Sequence, residues 1–520
     1  MPSEPRARKP YPEALLLGAV VLLAALVRLP QIGASFYGDE GFSLLRDSNE
    51  WLTSTEDAFR PLYFTALHAW RVLGFHGEVG LRSLSLLFGV AQIPVAFALG
   101  RRLVGAAVGF AFALLLALDP LLIEFSQELR MYSLVPLLAL LQAWAFVEVV
   151  ARASERRPVR GAWVGFVAAG VLGTYAHFHY WFLIAGFAFG LWRRRQEIAL
   201  KQGAIALFVI GLLYLPNVPN LLRFQREGGG GAHLLATDLT SALPKLLTAF
   251  SVGFNYFRLP EMGLDRAIRV SSLGPNVALA LLVAGPALIV CWLVFRACAR
   301  RDPGPILWLS IELFAVPMAL SFAAVVITGR NFIHPKYMVF SAPFLPLLFT
   351  AAFFSTERRS LRSVLGGLAA CVFAVALLHF NQPDQYGRRE DWRGAASYLR
   401  TELDQRAQLL RLGSAGTAED PPHEQGAPPQ SLWEYYAADL SQHTKIISLP
   451  RPDAAVADLV PTVQRLTSGK RDVYYLWSEI GRNFDDPADV LLTAAREVLV
   501  DEQKRQFNPR FILYHWHTRQ

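Results

Sequence analysis

Asp39 and Glu40 form an acidic pair within the stretch 36–42, directly after the first long apolar run of the chain. A carboxylate held at such a place can act as a general base, and a neighbouring carboxylate can orient it or bind a metal ion. Taken alone, the pair is better explained as a solvated turn at the end of a membrane helix. A catalytic interpretation therefore needs partners on the same side of the membrane.

Further chemically active side chains lie in later short turns between apolar runs. They are Gln127, Glu128, Arg130 and Tyr132 in one turn, His177 and His179 in the next, and Arg330, Lys336 and Tyr337 in a third. Carboxylates, imidazoles and cations are the components of a base, a metal site and a phosphate clamp. Each also has a plain explanation: Glu128 and Arg130 could pair with each other, and the histidines could be interfacial residues bonded to backbone.

The composition is that of an integral membrane protein. Of the 520 residues, 53% are hydrophobic and 18% are charged, whereas soluble domains carry about 25% charged residues. The net charge of +8 arises largely from arginines in short turns between apolar runs, which set topology and do not indicate nucleic-acid binding. The three cysteines, Cys291, Cys298 and Cys371, lie in apolar segments without metal-ligand spacing or a disulfide framework.

The apolar runs predict a mainly α-helical, polytopic fold. About 20 apolar residues span a bilayer, and the chain divides into about 11 such segments. They are centred on 12–30, 82–100, 103–123, 131–151, 161–176, 179–192, 202–222, 275–295, 304–328, 338–356 and 363–381. The first is predicted to be a retained helix and not a cleaved signal, because no small-residue cleavage site follows it.

The arginine distribution predicts the orientation. Basic turns at 101–102, 152–160, 193–195, 300–301 and 358–359 indicate that these turns and the amino terminus are cytoplasmic. The alternate connections, which carry all the candidate residues above, are then extracytoplasmic.

The last part of the chain has a different pattern. Residues 384–520 contain strand-like runs at 445–449, 472–477 and 510–514 and a helical pattern at 487–499. We therefore predict a transmembrane domain over 1–383 and a small extracytoplasmic α/β domain over 384–520.

Several short motifs follow one another in a fixed order along the chain. They are Arg28-Leu29, Tyr37-Gly38-Asp39-Glu40, Pro61-Leu62-Tyr63-Phe64 with His68, Leu81-Arg82-Ser83-Leu84-Ser85 with Gly89, Ser126-Gln127-Glu128-Leu129-Arg130-Met131-Tyr132-Ser133-Leu134, Lys336-Tyr337 with Pro343 and Pro346, and Glu390-Asp391-Trp392-Arg393-Gly394-Ala395-Ala396-Ser397-Tyr398-Leu399. This order resembles the GT-C superfamily of membrane glycosyltransferases, and within it the bacterial branch related to protein O-mannosyltransferases and lipid A aminoarabinose transferases (glycosyltransferase family 39-like). The Gln-Glu-x-Arg-Met-Tyr run with the early Asp-Glu is the most specific part.

The resemblance implies a polyprenyl-phosphate-linked sugar as donor and an inverting transfer to an envelope glycan, lipid A, another lipid or a protein. The expected location is the outer face of a bacterial cytoplasmic membrane. It implies Asp39 as the catalytic base, with Glu40 and Glu128 as orienting or metal-binding partners. The residues expected to face phosphate or substrate are Gln127, Arg130, Tyr132, Arg330, Lys336, Tyr337 and Tyr63. No cofactor is certain; a divalent metal ion stays open, with Asp39, Glu128, His177 and His179 as candidate ligands.

Two departures from the family pattern are relevant to the site. Relatives often have His-Pro-Pro before the Leu-Tyr pair, where this chain has Phe59-Arg60-Pro61. Relatives usually have Arg-Tyr where this chain has Lys336-Tyr337, which keeps the charge but loses the planar, bidentate grip of arginine on phosphate.

Two other classes of function compete with an enzyme. A transporter or flippase for a lipid-linked or anionic solute should place ionisable residues near the bilayer midplane, in helices broken in two corresponding halves. Here the ionisable residues lie in turns on one side of the membrane, and the sequence shows no two corresponding halves. A membrane-anchored binding protein would leave the clustering of polar outer turns unexplained. The sequence therefore favours the enzyme.

Overall fold

The computed structural model describes residues 11–45, 60–226, 246, 249–250, 304–328, 333–356, 359–380, 390–403, 407–412, 432–447, 455–478, 489–508 and 511–518. The chain forms two compact units. The first consists of 1–32 and 48–380, and the second of 33–47 and 381–520. The short segment containing Asp39 and Glu40 therefore groups with the carboxyl-terminal residues.

The first unit is helical throughout its described part. Its helices are α1 Tyr11–Leu26, α3 Pro61–Val72, α4 Gly77–Leu103, α5 Ala106–Leu118, α6 Pro120–Ser126, α7 Leu134–Ser154, α8 Arg160–Ala176, α9 Tyr180–Arg193, α10 Leu200–Tyr214, α11 Val218–Arg226, α12 Gly304–Ser310, α13 Val316–Thr328, α14 Pro335–Met338, α15 Phe344–Ser355 and α16 Arg359–Phe380; α2, Asp39–Leu45, belongs to the second unit. A π-helical turn, Ile311–Ala315, joins α12 to α13.

Helices occupy the predicted apolar runs wherever those runs are described, and the predicted helix at 275–295 lies outside the described residues. By length and composition, the described part contains four helices able to cross a membrane, or up to six if each of two bent pairs is one span. The exact count of eleven stays a prediction.

Local chemistry explains the sharpest of these bends. α5 and α6 meet at 60°. Asp119 lies between them, and its Oδ1 accepts the N–H of Leu122 at 3.1 Å, while Pro120 begins the new helix. A capping aspartate followed by proline is a typical start for a helix and a stop for the one before it.

The second unit contains a five-stranded sheet. Its elements after α16 are α17 Trp392–Glu402, β1 Ala407–Leu412, α18 Leu432–Ala437, β2 Thr444–Ile447, α19 Val456–Thr467, β3 Asp472–Ser478, α20 Val490–Val498, β4 Leu499–Asn508 and β5 Phe511–Thr518. The strand order is β2-β1-β3-β5-β4. β1 pairs in parallel with β2 and β3, and β5 pairs antiparallel with β3 and β4.

The sheet is covered on both faces. Val473 on β3 packs in one cluster with residues of α19 and α20, such as Val463 and Leu491. Its neighbour Tyr474 packs in the other cluster with Leu399 of α17 and Trp433 of α18. Successive strand residues point to opposite faces, so the unit has three layers with helices on either side of the sheet.

Candidate active site

The turn from Gln127 to Ser133, between α6 and α7, is fully buried in the first unit. Arg28 holds one end of it: its guanidinium donates to Ser126 Oγ at 3.1 Å and to the carbonyl of Ala117 at 2.8 Å. In return, the Gln127 side-chain amide donates to the backbone carbonyl of Arg28 at 3.0 Å. Arg28 and Gln127 therefore have a structural role, because their hydrogen bonds fix the start of the turn.

Helix α4 holds the other end of the turn. The Gln92 amide donates to the carbonyl of Ser133 at 2.9 Å. The Ser85 hydroxyl donates to the carbonyl of Arg130 at 3.4 Å and lies 2.8 Å from the Tyr63 hydroxyl. Tyr63, predicted to contact substrate, is completely buried and bonded to this scaffold.

Gly89 explains the close approach of α4 to α6. A Cβ atom at this position would meet the Ser126 hydroxyl and come within 3.4 Å of Arg28 Nε. Only glycine leaves room for the bond between Arg28 and Ser126. The motif residues Arg28, Ser85, Gly89 and Ser126 thus form one scaffold for the turn.

The turn places cations against aromatic rings. The Arg130 guanidinium lies 5.7 Å from the centroid of the Phe64 ring, and Lys336 Nζ lies 5.9 Å from that of Tyr132. Such contacts favour a cation where water is scarce. Arg130 and Tyr132 are buried and Lys336 is half-buried, so the charges are partly desolvated. Glu128 is also buried in this turn.

Both predicted histidines belong to a ring cluster beside α14. The rings of His177 and His179 are 5.2 Å apart, and Tyr337 lies 6.0 Å from the first and 5.4 Å from the second. His334, which caps α14 by accepting the N–H of Lys336 at 3.2 Å, lies 5.6 Å from Tyr337. The structure therefore brings together two turns that are far apart in sequence.

Burial and nearby arginines lower the pKa values of both histidines in this cluster. Burial lowers the pKa of His179 to about 3, with a further contribution from Arg60. Burial, His179, Arg60 and Arg130 together lower the pKa of His177 well below its usual value. Both imidazoles are therefore neutral at pH 7. The Nδ1 atom of His177 accepts the backbone N–H of His179 at 3.3 Å. A hydrogen bond to backbone is the plain role that the sequence left open for these histidines.

Arg60 is a candidate residue that sequence reasoning missed. It is buried, directly precedes α3, and acts electrostatically on both histidines. The signal was visible as the departure from the His-Pro-Pro pattern, in which Phe59 stands at the position of the histidine and Arg60 at that of the first proline. The sequence could not show that Arg60 and Arg130 both act electrostatically on His177.

The acidic pair lies in the second unit, at the start of α2. Gly38 has φ +43, a left-handed conformation that glycine adopts readily. Glu40 is 1% exposed, and its Oε2 accepts the N–H of Tyr37 at 3.2 Å. Asp39 is half-buried. Glu40 therefore fixes the loop with its carboxylate, while Asp39 keeps access to solvent.

The segment before α2 is fastened to helices of the same unit. The Phe36 N–H donates to the Tyr436 hydroxyl at 2.8 Å. The Arg393 N–H donates to Ser35 Oγ at 3.3 Å, and its guanidinium donates to the Gly33 carbonyl at 3.0 Å. The Glu-Asp-Trp-Arg-Gly motif at 390–394 thus helps to hold the loop that presents Asp39.

The predicted site residues divide between the two units. Asp39 and Glu40 belong to the second unit, and the first contains Tyr63, Gln127, Glu128, Arg130, Tyr132, His177, His179, Lys336 and Tyr337. Arg330 lies outside the described residues. Glu312, an ionisable residue in a predicted span, has a structural role: its carboxylate accepts from Arg193 and Arg194, each at 2.7 Å.

The four residues predicted as metal ligands all lie in the part of the chain that the structure describes. Within that part of the chain, neither Asp39, Glu128, His177 nor His179 belongs to a group of three converging ligand atoms. The described side chains form one such group elsewhere, at Asp472, His515 and His517. Among the described residues, no third ligand atom converges on the two stacked imidazoles, so the metal site proposed from the sequence stays a prediction.

No protein-family profile and no curated protein matches the chain. Several solved structures match the chain. ArnT from Cupriavidus metallidurans in the apo state matches with a TM-score of 0.50 and 14% identity, over 97% of this chain and 98% of that one. The same protein bound to undecaprenyl phosphate gives 0.40 and 14%, over 98% of both chains. The oligosaccharyltransferase of Archaeoglobus fulgidus gives 0.48 and 14%, over 98% and 74%. ArnT is a GT-C glycosyltransferase, and the chain therefore has the GT-C fold.

Proposed function

We propose that the chain is an integral membrane glycosyltransferase that moves a sugar from a polyprenyl-phosphate-linked donor to an extracytoplasmic acceptor, with inversion. The observation that carries the proposal is a set of buried or half-buried cations against aromatic rings, with the Arg130 guanidinium 5.7 Å from the Phe64 ring and Lys336 Nζ 5.9 Å from the Tyr132 ring, within a chain that has the ArnT fold over nearly its whole length. The proposed location is the outer face of a bacterial cytoplasmic membrane, and the acceptor class is an envelope glycan, a lipid or a protein.

The cations of the first unit suit a phosphate at the end of a lipid. Arginine forms charge-assisted hydrogen bonds to phosphate oxygens, and these strengthen where water is excluded. Arg60 and Arg130 are buried, and Lys336 adds a point charge beside Tyr132. ArnT, with the same fold, has been solved with undecaprenyl phosphate. We assign the phosphate of donor and product to these three cations.

The proposed reaction needs one base. The carboxylate of Asp39 takes the proton of the acceptor hydroxyl as that oxygen bonds to the anomeric carbon of the sugar. The bond from this carbon to the phosphate oxygen breaks, and its electron pair leaves with polyprenyl phosphate. The phosphate goes from a diester with one negative charge to a monoester with two, and the cations stabilise the added charge. Because phosphate is a good leaving group, the second carboxyl group that a glycosidase uses is not required.

The different settings of the two acidic residues support this assignment. Glu40 is buried and bonded to the backbone of Tyr37, so it positions the loop. Asp39 begins α2 and is half-buried, which leaves its carboxylate accessible to an acceptor. Tyr63 and Gln127, expected at the substrate, have buried scaffold contacts and are assigned to positioning the turn.

Binding of undecaprenyl phosphate to the purified full chain in detergent tests the phosphate site. Arg60→Gln and Arg130→Gln should each weaken binding by about 10- to 150-fold, since a hydrogen bond to a charged group contributes about 1.5–3 kcal/mol. Arg157→Gln, which removes an exposed arginine paired with Glu155, is the matched control and should bind normally. Equal affinity in all four proteins would overturn the assignment.

A further inference from the structure

Asp472, His515 and His517 converge at one end of the sheet in the second unit. The Oδ1 atom of Asp472 lies 2.9 Å from Nε2 of His515 and 2.8 Å from Nδ1 of His517. One ligand atom from each residue lies within 4.8 Å of the other two. The proposed glycosyl transfer uses none of these residues. We propose that they form a binding site for a divalent transition-metal ion such as Zn²⁺.

The strand register brings the three side chains to the same face. β3 and β5 are antiparallel, with Asp472 opposite His517 and Tyr474 opposite His515. Directly opposite residues share a face, as do residues two apart along a strand. The backbone pairing therefore places all three side chains on one face of the sheet, close enough for their ligand atoms to converge.

The backbone at this end of the sheet is held in place. The Thr518 N–H donates to the carbonyl of Arg471 at 3.1 Å, which fastens the end of β5 to the start of β3. The ring of His515 stacks on Tyr474 with centroids 4.4 Å apart. Tyr474 itself is buried in the core beneath α17 and α18. A rigid support of this kind is what a metal site requires.

The donor set and its exposure fit a borderline metal ion. Two imidazole nitrogens and one carboxylate oxygen are common ligands of Zn²⁺, and a site with three protein ligands leaves a position for water. The Asp472 and His515 side chains are each 20% exposed and that of His517 is 37% exposed, so an ion can enter from solvent. Arg471 lies 3.8 Å from the other carboxylate oxygen but is 71% exposed, so it can turn away.

Metal entry changes the two short contacts of the Asp472 oxygen. Two ligands of a tetrahedral Zn²⁺ ion, each about 2.0–2.1 Å from it, lie about 3.3 Å apart. The two contacts to the Asp472 oxygen would therefore open by about half an ångström as the hydrogen bonds are replaced by metal bonds. Partly exposed side chains accommodate such a shift by small rotations.

Metal content of the full chain tests the site. The protein is purified in detergent, stripped with EDTA, equilibrated with Zn²⁺ and analysed for bound zinc; Co²⁺ absorption then reports the ligand field. We expect wild type to retain one equivalent more than the double variant His515→Gln/His517→Gln, and Asp472→Asn to bind more weakly than wild type. His76→Gln, which removes an exposed histidine of the first unit, should bind as wild type does.

Thermal unfolding separates lost ligands from lost folding. Without metal, wild type and the double variant should unfold at similar temperatures, and Zn²⁺ should raise the midpoint of wild type alone. The proposal is overturned if wild type retains no stoichiometric zinc, or if the double variant retains as much as wild type. Equal stabilisation of both proteins by Zn²⁺ would overturn it too.

Discussion

Asp39 and Glu40 are adjacent carboxylates for which the structure predicts different consequences of substitution. Asp39→Asn removes a base but keeps the size of the side chain. Glu40→Gln keeps an oxygen able to accept the N–H of Tyr37, a bond of 3.2 Å in the structure. We therefore expect Asp39→Asn to abolish most transfer while Glu40→Gln retains most of it.

The magnitudes follow from the contacts. A positioned general base contributes about 10²–10⁴-fold to the rate, so Asp39→Asn should lower kcat by that factor. A hydrogen bond to a charged acceptor contributes about 1.5–3 kcal/mol and one to a neutral acceptor about 0.5–1.5 kcal/mol. Glu40→Gln thus weakens the loop by roughly 1–1.5 kcal/mol, which limits its effect on kcat to about tenfold. Glu40→Ala removes the acceptor and should cost more than Glu40→Gln.

Initial rates at saturating donor, with each variant reconstituted in liposomes, measure the difference. Size-exclusion profiles and thermal midpoints show whether each variant is folded. If folded Asp39→Asn keeps a kcat within about fivefold of wild type, the assignment of the base is wrong, because that loss is below the range for general-base catalysis. A loss in Glu40→Gln as large as that in Asp39→Asn would show that the two roles are not separate.

Three further perturbations have defined outcomes. Gly89→Ala forces a methyl group against a buried hydroxyl and should lower stability by about 1–3 kcal/mol, read as a lower thermal midpoint in detergent. Glu312→Gln leaves buried guanidinium charge against a neutral amide and should cost about 3–5 kcal/mol in the same assay. Burial and Arg60 lower the pKa of His179 to about 3, below its unfolded value near 6.5. Stability is therefore complete above about pH 6.5 and decreases toward pH 3, with a loss of about 1.4 kcal/mol by pH 5.5, and His179→Asn should flatten this dependence.

Each of these has a control in the same chain. Gly18→Ala, where nothing lies within 4 Å, should unfold as wild type does, and an equal loss in both glycine variants would contradict the packing argument. Glu155→Gln breaks an exposed ion pair and should leave the thermal midpoint close to that of wild type, because exposed ion pairs contribute little to stability. A wild-type thermal midpoint that is the same at pH 7.5 and pH 5.5 would contradict the buried neutral imidazoles.

The helices of the first unit could be predicted because a bilayer requires long apolar runs, and long apolar runs are visible in any sequence. The bends in these helices could not be predicted in this way. The break depends on the capping side chain of Asp119 and on Pro120, the first residue of α6, inside a run that otherwise has the hydropathy of one span. The helix breaks there because of the cap and the proline, which overall hydropathy does not reveal.

The site could be predicted only in part, because its contacts join distant parts of the chain. The bond from Phe36 to Tyr436 spans 400 residues, so the grouping of the Asp39 segment with the second unit was not visible. His515 and His517 share a strand face by their spacing, but Asp472 joins them only through the pairing of β3 with β5. The departure at Arg60 was visible in the sequence, although the electrostatic effect that Arg60 and Arg130 both have on His177 was not.

The central claim is that the protein breaks the bond between a sugar and polyprenyl phosphate and transfers the sugar. It is tested by purified protein in liposomes, a polyprenyl-phosphate donor labelled in the sugar, and an envelope extract as the source of acceptors. We predict equimolar appearance of labelled acceptor and free polyprenyl phosphate with wild type and loss of both with Asp39→Asn. Movement of intact donor across the bilayer, with no free polyprenyl phosphate formed, would contradict the account and identify a transporter.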